Sequence, residues 1–194
     1  MASILYLHGF NSAPQSAKAQ QVQAYFAMHH PSVRLLIPAL TVSPAQVAAQ
    51  LEDMLSVWGA DDFHGVIGSS LGGYYALYLY ARFGLPAVLI NPAVRPFERL
   101  TEYLGENTNY YTGERYQVTP AHMAELRSLC LPFVNDPDKL YLLTQTADET
   151  LDFREAVQVL NGVRMWIQYG GSHAFERFDT VLPSIADFLL SPSF

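Results

Sequence analysis

A chain of 194 residues and 21.7 kDa is long enough for one core that buries about 70% of the surface its unfolded form exposes. Half of it is apolar and only 15% is charged, which excludes a disordered chain and points to buried strands. Its 11 Lys and Arg against 18 Asp and Glu leave a net charge of -7, a field that repels phosphate backbones and argues against nucleic acid as a partner.

Met1, Ala2 and Ser3 offer no basic region before the apolar run that starts at Ile4, so no targeting segment is expected and the whole chain is read as the mature one. Strands are predicted at Ile4 to Leu7, Val33 to Ile37, Gly65 to Ser69, Ala87 to Asn91, Leu140 to Thr144 and Arg164 to Tyr169. These runs are apolar at nearly every position rather than alternating, as a parallel sheet covered on both faces requires. Helices are predicted between them, at Ser16 to His29, Pro44 to Trp58, Leu71 to Phe83, Asp152 to Leu160 and Glu176 to Leu190. Strand followed by helix, repeated, implies an open α/β sheet. The rhythm breaks once, at about 94–131, where a segment rich in tyrosine is expected to form short helices over the carboxyl edge of the sheet as a lid. No repeat or Gly/Ser-rich linker divides the chain, so residues 1–194 are read as one domain.

The stretch from Gly65 to Ala81 is uncharged, but Gly68, Ser69, Ser70, Gly72 and Gly73 make it too polar to span a bilayer. It carries the informative motif instead. Gly68-Ser69-Ser70-Leu71-Gly72 ends a predicted strand and opens a predicted helix, the context of a G-x-S-x-G nucleophile elbow. The spacing has a steric cause, because a turn tight enough to lift Ser70 above the sheet presses helix against strand. Positions two before and two after the serine then have room for almost no side chain.

A serine hydroxyl is a weak nucleophile until a base takes its proton, and the base needs a third group to fix its tautomer. On such a sheet the partners follow in the order serine, acid, histidine, each after a later strand. Asp148 stands in the loop after the fifth predicted strand and His173 in the loop after the sixth. Glu149 and Asp152 compete for the role of acid. Asp148 is preferred because it lies nearer the strand end, and Asp152 fits a helix N-cap better. His29, His30, His64 and His122 fall on helices or before strands. An oxyanion hole would draw one backbone N–H from Leu71 at the helix start and one from Phe10, where Gly9 after the first strand lets the chain turn. His8 precedes them as a substrate-binding candidate, with a structural role as the competing reading.

Other chemistries lack their parts. No G-x-x-x-x-G-K-[ST], H-E-x-x-H or C-x-x-C occurs, so neither a nucleotide cofactor nor a metal is expected. The single cysteine, Cys130, makes no internal disulfide, suits a reducing cytoplasm, and is read as a small buried hydrophobe.

Leu5-Tyr6-Leu7-His8-Gly9-Phe10-Asn11-Ser12, the elbow through Tyr75, Asn91-Pro92-Ala93-Val94-Arg95-Pro96-Phe97-Glu98 and Gly171-Ser172-His173-Ala174-Phe175 together closely resemble the YqiA-like bacterial esterases, nearly end to end. These are small α/β-hydrolases, and the resemblance implies hydrolysis of carboxylic esters or acyl thioesters, acyl-CoA among them, by the triad Ser70, Asp148 and His173. Arg95 lies in the most distinctive of these runs and is a candidate for drawing in an anionic part of the substrate, with pairing to Glu98 as the alternative.

The expected fold is therefore a six-stranded parallel α/β-hydrolase sheet, order 2-1-3-4-5-6, with helices on both faces. The expected activity is that of an esterase or thioesterase acting on a small molecule without cofactor. A non-catalytic binding protein of the same fold, and cleavage of an amide or carbon-carbon bond by the same triad, are the alternatives. The apolar content permits a homodimer without requiring one.

Overall fold

The computed structural model describes residues 2–59, 62–130 and 133–191; Leu131, at the end of the expected lid, lies outside them. In chain order the elements are β1 (Ser3–Leu7), α1 (Ala17–His29), β2 (Arg34–Leu36), α2 (Pro44–Trp58), β3 (Phe63–Ser69), α3 (Leu71–Phe83), β4 (Ala87–Ile90) and α4 (Pro96–Arg99). There follow β5 (Gly105–Thr108), β6 (Arg115–Val118), α5 (Pro120–Ser128), β7 (Leu140–Gln145), α6 (Phe153–Val159), β8 (Arg164–Gln168) and α7 (Leu182–Leu190).

Six strands pair in parallel in the order β2-β1-β3-β4-β7-β8, which is the expected order once the two strands of the insertion are set aside. Alternate side chains of each strand feed opposite faces. Leu5, Leu7, Val66, Leu89 and Leu142 pack with Val47, Leu51 and Leu55 of α2 and with α3. Ile4, Tyr6, Ile67, Val88, Ile90 and Leu143 pack on the other face with Val22 and Phe26 of α1 and Ile185 and Leu189 of α7. Truncating any of these fully buried aliphatic side chains to alanine should cost about 2–5 kcal/mol.

Four expectations need correction. The strands are not all covered on both faces, because β8 is outermost among the described residues and Trp166 and Ile167 remain 44% and 46% exposed. The lid is not helical throughout. Between α4 and α5 it carries an antiparallel hairpin of β5 and β6, whose sequences, GENT and RYQV, hold no apolar run to announce a strand. The last helix begins at Leu182 rather than Glu176, since Phe175 and Arg177 take positive φ (62° and 56°) that no α-helix accepts, and a 3-10 turn intervenes. Cys130 is exposed, not buried, at the end of the insertion, with its thiol against the Tyr74 hydroxyl.

Candidate active site

The sheet delivers three loops to one edge. Ser70 caps α3 immediately after β3 with φ 55° and ψ -121°, a conformation that costs a non-glycine residue about 1–3 kcal/mol. Its surroundings hold it there: its amide donates to the Ile90 carbonyl at 3.0 Å, and its own carbonyl accepts from Gly73 at 2.9 Å and Ala93 at 3.1 Å. A Cβ on Gly72 would overlap the Leu7 carbonyl of β1, and one on Gly68 would overlap the Gly72 carbonyl. The two glycines of the motif are thus the condition for the strand and helix to meet at this angle.

His173 presents Nε2 to Ser70 Oγ at 3.0 Å and Nδ1 to Asp148 Oδ2 at 2.8 Å. The imidazole is 23% exposed and the Asp148 side chain 1%. The other oxygen, Asp148 Oδ1, accepts the amides of Thr150 at 2.9 Å and Leu151 at 2.8 Å, which fixes the carboxylate plane. Glu149 does not touch the ring; its Oε2 accepts the backbone amide of His173 at 2.9 Å, and that bond holds its carboxyl below the usual range. Asp152 caps α6, accepting from the Arg154 amide at 3.0 Å. A hydroxyl on one imidazole nitrogen and a buried carboxylate on the other is an arrangement that can remove a proton from the hydroxyl and keep the resulting imidazolium in place.

Two buried amide side chains, which sequence reasoning did not assign to the site, set the histidine loop. Asn91, 2% exposed, donates from Nδ2 to the carbonyls of Ser172 at 3.0 Å and His173 at 3.2 Å, while its Oδ1 accepts the Gln145 amide at 3.0 Å. Gln145 accepts from the amides of Ser172 at 3.0 Å and Glu176 at 2.9 Å and donates to the Glu176 carbonyl at 2.8 Å. A signal was present, since each is a polar residue directly ending an apolar strand at the site's edge.

Leu71 and Phe10 both border the space in front of Ser70. His8 does not. It is 4% exposed, accepts the Leu40 amide at Nε2 (3.2 Å) and so has its proton on Nδ1, facing the Gly9 carbonyl at 3.1 Å. Burial pushes its pKa down, and it ties the Leu40 loop to the turn after β1. Arg95 is exposed as the residue before α4 and lines neither cavity that reaches Ser70. The arginine that does so is Arg99, one helical turn further, paired with Glu155 at 3.0 Å.

Two cavities meet at Ser70, sharing Phe10, Tyr110 and His173 as walls. One, of about 270 Å³, runs under the insertion past Pro96, Leu100 and Leu151. The other, of about 600 Å³, runs along the start of α1 past Ser12, Lys18 and Gln21. Tyr110 belongs to the hairpin turn, which is seated on the first loop by the Tyr110 amide on the Asn11 carbonyl (3.3 Å), the Asn109 side chain on the Ser12 carbonyl (2.9 Å) and the Tyr116 hydroxyl on Asn11 Oδ1. Among the described residues no group of three or more His, Cys, Asp or Glu is placed to hold a metal ion, and no helix is long and apolar enough to cross a membrane.

Residues 3–190 match a family described as the Uncharacterised protein family UPF0227. Among solved structures the chain is similar to Est1E from Butyrivibrio proteoclasticus, at 14% identity and TM-score 0.73, covering 97% of this chain and 87% of that one. It is also similar to mouse alpha/beta hydrolase domain-containing protein 10 (18%, TM-score 0.72, 98% and 90%) and to the esterase domain of a Rhodothermus marinus protein (17%, TM-score 0.66, 96% and 85%). At these identities the likeness is one of fold.

Proposed function

The chain belongs to the UPF0227, YqiA-like, family and has the α/β-hydrolase fold, and from that premise we propose that it is a serine hydrolase of carboxylic esters or acyl thioesters. The observation that carries this reading is the continuous relay from Ser70 Oγ through the His173 imidazole to Asp148, at 3.0 and 2.8 Å, raised on a strained turn beside two cavities.

Ser70 Oγ attacks the acyl carbonyl carbon while its proton passes to His173 Nε2. The carbonyl electron pair moves to oxygen, and the resulting charge is held by the Leu71 and Phe10 amides. Both border the space, and among the described residues neither has a protein acceptor. Leu71 is also the first residue of the 13-residue helix α3, whose dipole favours that charge. When the carbonyl reforms, the bond to the alcohol or thiol breaks and Nε2 returns its proton to the departing oxygen or sulfur. Water then repeats the sequence on the acyl-enzyme, its proton going to Nε2 and then to Ser70. Asp148 accepts from Nδ1–H throughout and stabilises the imidazolium without taking a proton. The acyl group occupies the apolar cavity under Leu100 and Leu151.

Ser70→Ala tests the reading. It is expected to lower kcat on a chromogenic ester by roughly 10⁴-fold or more and to abolish labelling by a fluorophosphonate, with the circular dichroism spectrum unchanged. Turnover near the wild-type rate in that variant overturns the assignment. A matched set of esters and thioesters with varied acyl length then identifies the leaving group.

A further inference from the structure

We propose that Lys18 selects the leaving group: its ammonium binds an anionic group, a carboxylate or phosphate, on the alcohol or thiol half of the substrate, in the cavity along the start of α1. The proposal rests on the hydrolase reading above and names the substrate class for it.

A carbonyl carbon seated over Ser70 Oγ must send its two substituents in different directions, and the site offers two cavities divided by Phe10 and Tyr110. The cavity under the insertion is walled by Pro96, Leu100 and Leu151, with Glu102 and with Arg99 already paired to Glu155, which leaves an alkyl chain its apolar wall. The other sets Ser12, Ser16, Lys18, Gln21 and Glu149 among the rings of Phe10, Tyr110 and Phe175, which suits a group with a charged part as well as an apolar one. The departing oxygen or sulfur takes its proton from His173, which borders both cavities, while Lys18 stands in the second alone. Lys18 Nζ donates to the carbonyl of Ala174, the residue after His173, at 2.9 Å. That bond holds the ammonium in the wall of the cavity that reaches Ser70 and uses one of its three N–H donors.

The ammonium itself sets the sign of the ligand. Glu149, on the same cavity, and Asp148 keep their negative charges, but their hydrogen-bonded oxygens are held on the His173, Thr150 and Leu151 amides and the imidazole, and among the described residues neither is ion-paired with the ammonium. Burial lowers the pKa of Lys18 despite the opposing pull of Asp148, the mark of an ammonium short of solvent and of full compensation. The first turn of α1, in the same wall, contains no acidic residue, so the helix dipole adds to the lysine's field instead of being cancelled. Arg95, the sequence's candidate for drawing in an anionic part of the substrate, lines neither cavity.

The test compares two esters with the same acyl group, one with a neutral leaving group and one whose leaving group bears a carboxylate or phosphate. Lys18→Met keeps most of the apolar stem and removes the charge. It is expected to lower the anionic-to-neutral ratio of kcat/KM about tenfold, mainly through KM, as the loss of one charge-assisted hydrogen bond requires. Lys18→Arg is expected to restore most of the ratio, and added salt to shrink it in the wild type. A ratio that stays constant in Lys18→Met overturns the proposal, whether both substrates slow together, as a purely structural hold on the His173 loop predicts, or neither does. If Lys18→Met fails to fold by circular dichroism, a salt-independent wild-type ratio overturns it alone. Fluorophosphonate labelling of wild-type Ser70 is scored in parallel: its absence counts against the hydrolase reading itself, whereas labelling with an unchanged ratio counts against Lys18 only.

Discussion

Asn91 is the residue whose loss should show that the histidine loop, and not only the triad, makes this site. In Asn91→Ala three buried hydrogen bonds disappear, at 3.0, 3.2 and 3.0 Å, leaving the Gln145 amide and two loop carbonyls without their partner. At about 0.5–1.5 kcal/mol for each bond, with a further 1–3 kcal/mol for an orphaned buried donor, the expected loss of stability is about 3–7 kcal/mol. Alanine must also adopt the φ of 40° that asparagine tolerates, which adds to that figure. For a chain of this length the melting temperature should fall by roughly 10 °C, read by circular dichroism. Below both transitions, kcat on a chromogenic ester should fall about 100-fold, the scale expected when a reacting group shifts by roughly 1 Å. A variant that melts early but keeps wild-type kcat would refute the claim that Asn91 positions His173. One that does neither would refute the network altogether.

Because burial depresses the His8 pKa below the ordinary 6.5, the stability its neutral form contributes is complete above that value and is lost as pH falls through the folded-state pKa. The wild-type melting temperature should therefore drop on going from about pH 7.5 to 5.5, and His8→Gln, which can still accept from Leu40 and donate to Gly9, should flatten that slope; an identical slope in the variant would show that His8 does not set it. In the apolar cavity, Leu151→Phe should fill part of the 270 Å³ and lower kcat/KM on long-chain relative to short-chain esters by about tenfold or more, measured across an acyl series; an unchanged chain-length profile would place the acyl group elsewhere.

The central sheet was legible because its strands are continuous apolar runs bounded by turns. The elbow was legible because close packing allows only glycine two residues either side of Ser70. The hairpin of β5 and β6 left no such trace: its strands are short, mostly polar and paired with each other, and the contacts that hold them, Arg115 with Glu106 and Val118 in the core, form no apolar run. The edge strand β8 illustrates the opposite failure, since an apolar sequence such as Met165-Trp166-Ile167 reads as buried although the sheet ends there. Lys18 and Arg99 were invisible for a third reason. Each lies on a helix far in sequence from Ser70, and only the folding of α1 and α4 against the strand ends brings them to the cavities.

The choice between neighbouring carboxylates shows how little separates a legible residue from an ambiguous one. Asp148 and Glu149 both sit in the loop after β7, and one residue of distance from the strand end is all that favours Asp148 in the sequence. The backbone decides: the turn after Asp148 aims two amides, from Thr150 and Leu151, at one oxygen of a short side chain, so the second oxygen is held toward the imidazole. The longer Glu149 reaches around the same loop to the main chain of His173. One carboxylate therefore orients the ring and the other anchors the segment that bears it, which accounts for two adjacent acids where the chemistry at the ring needs one.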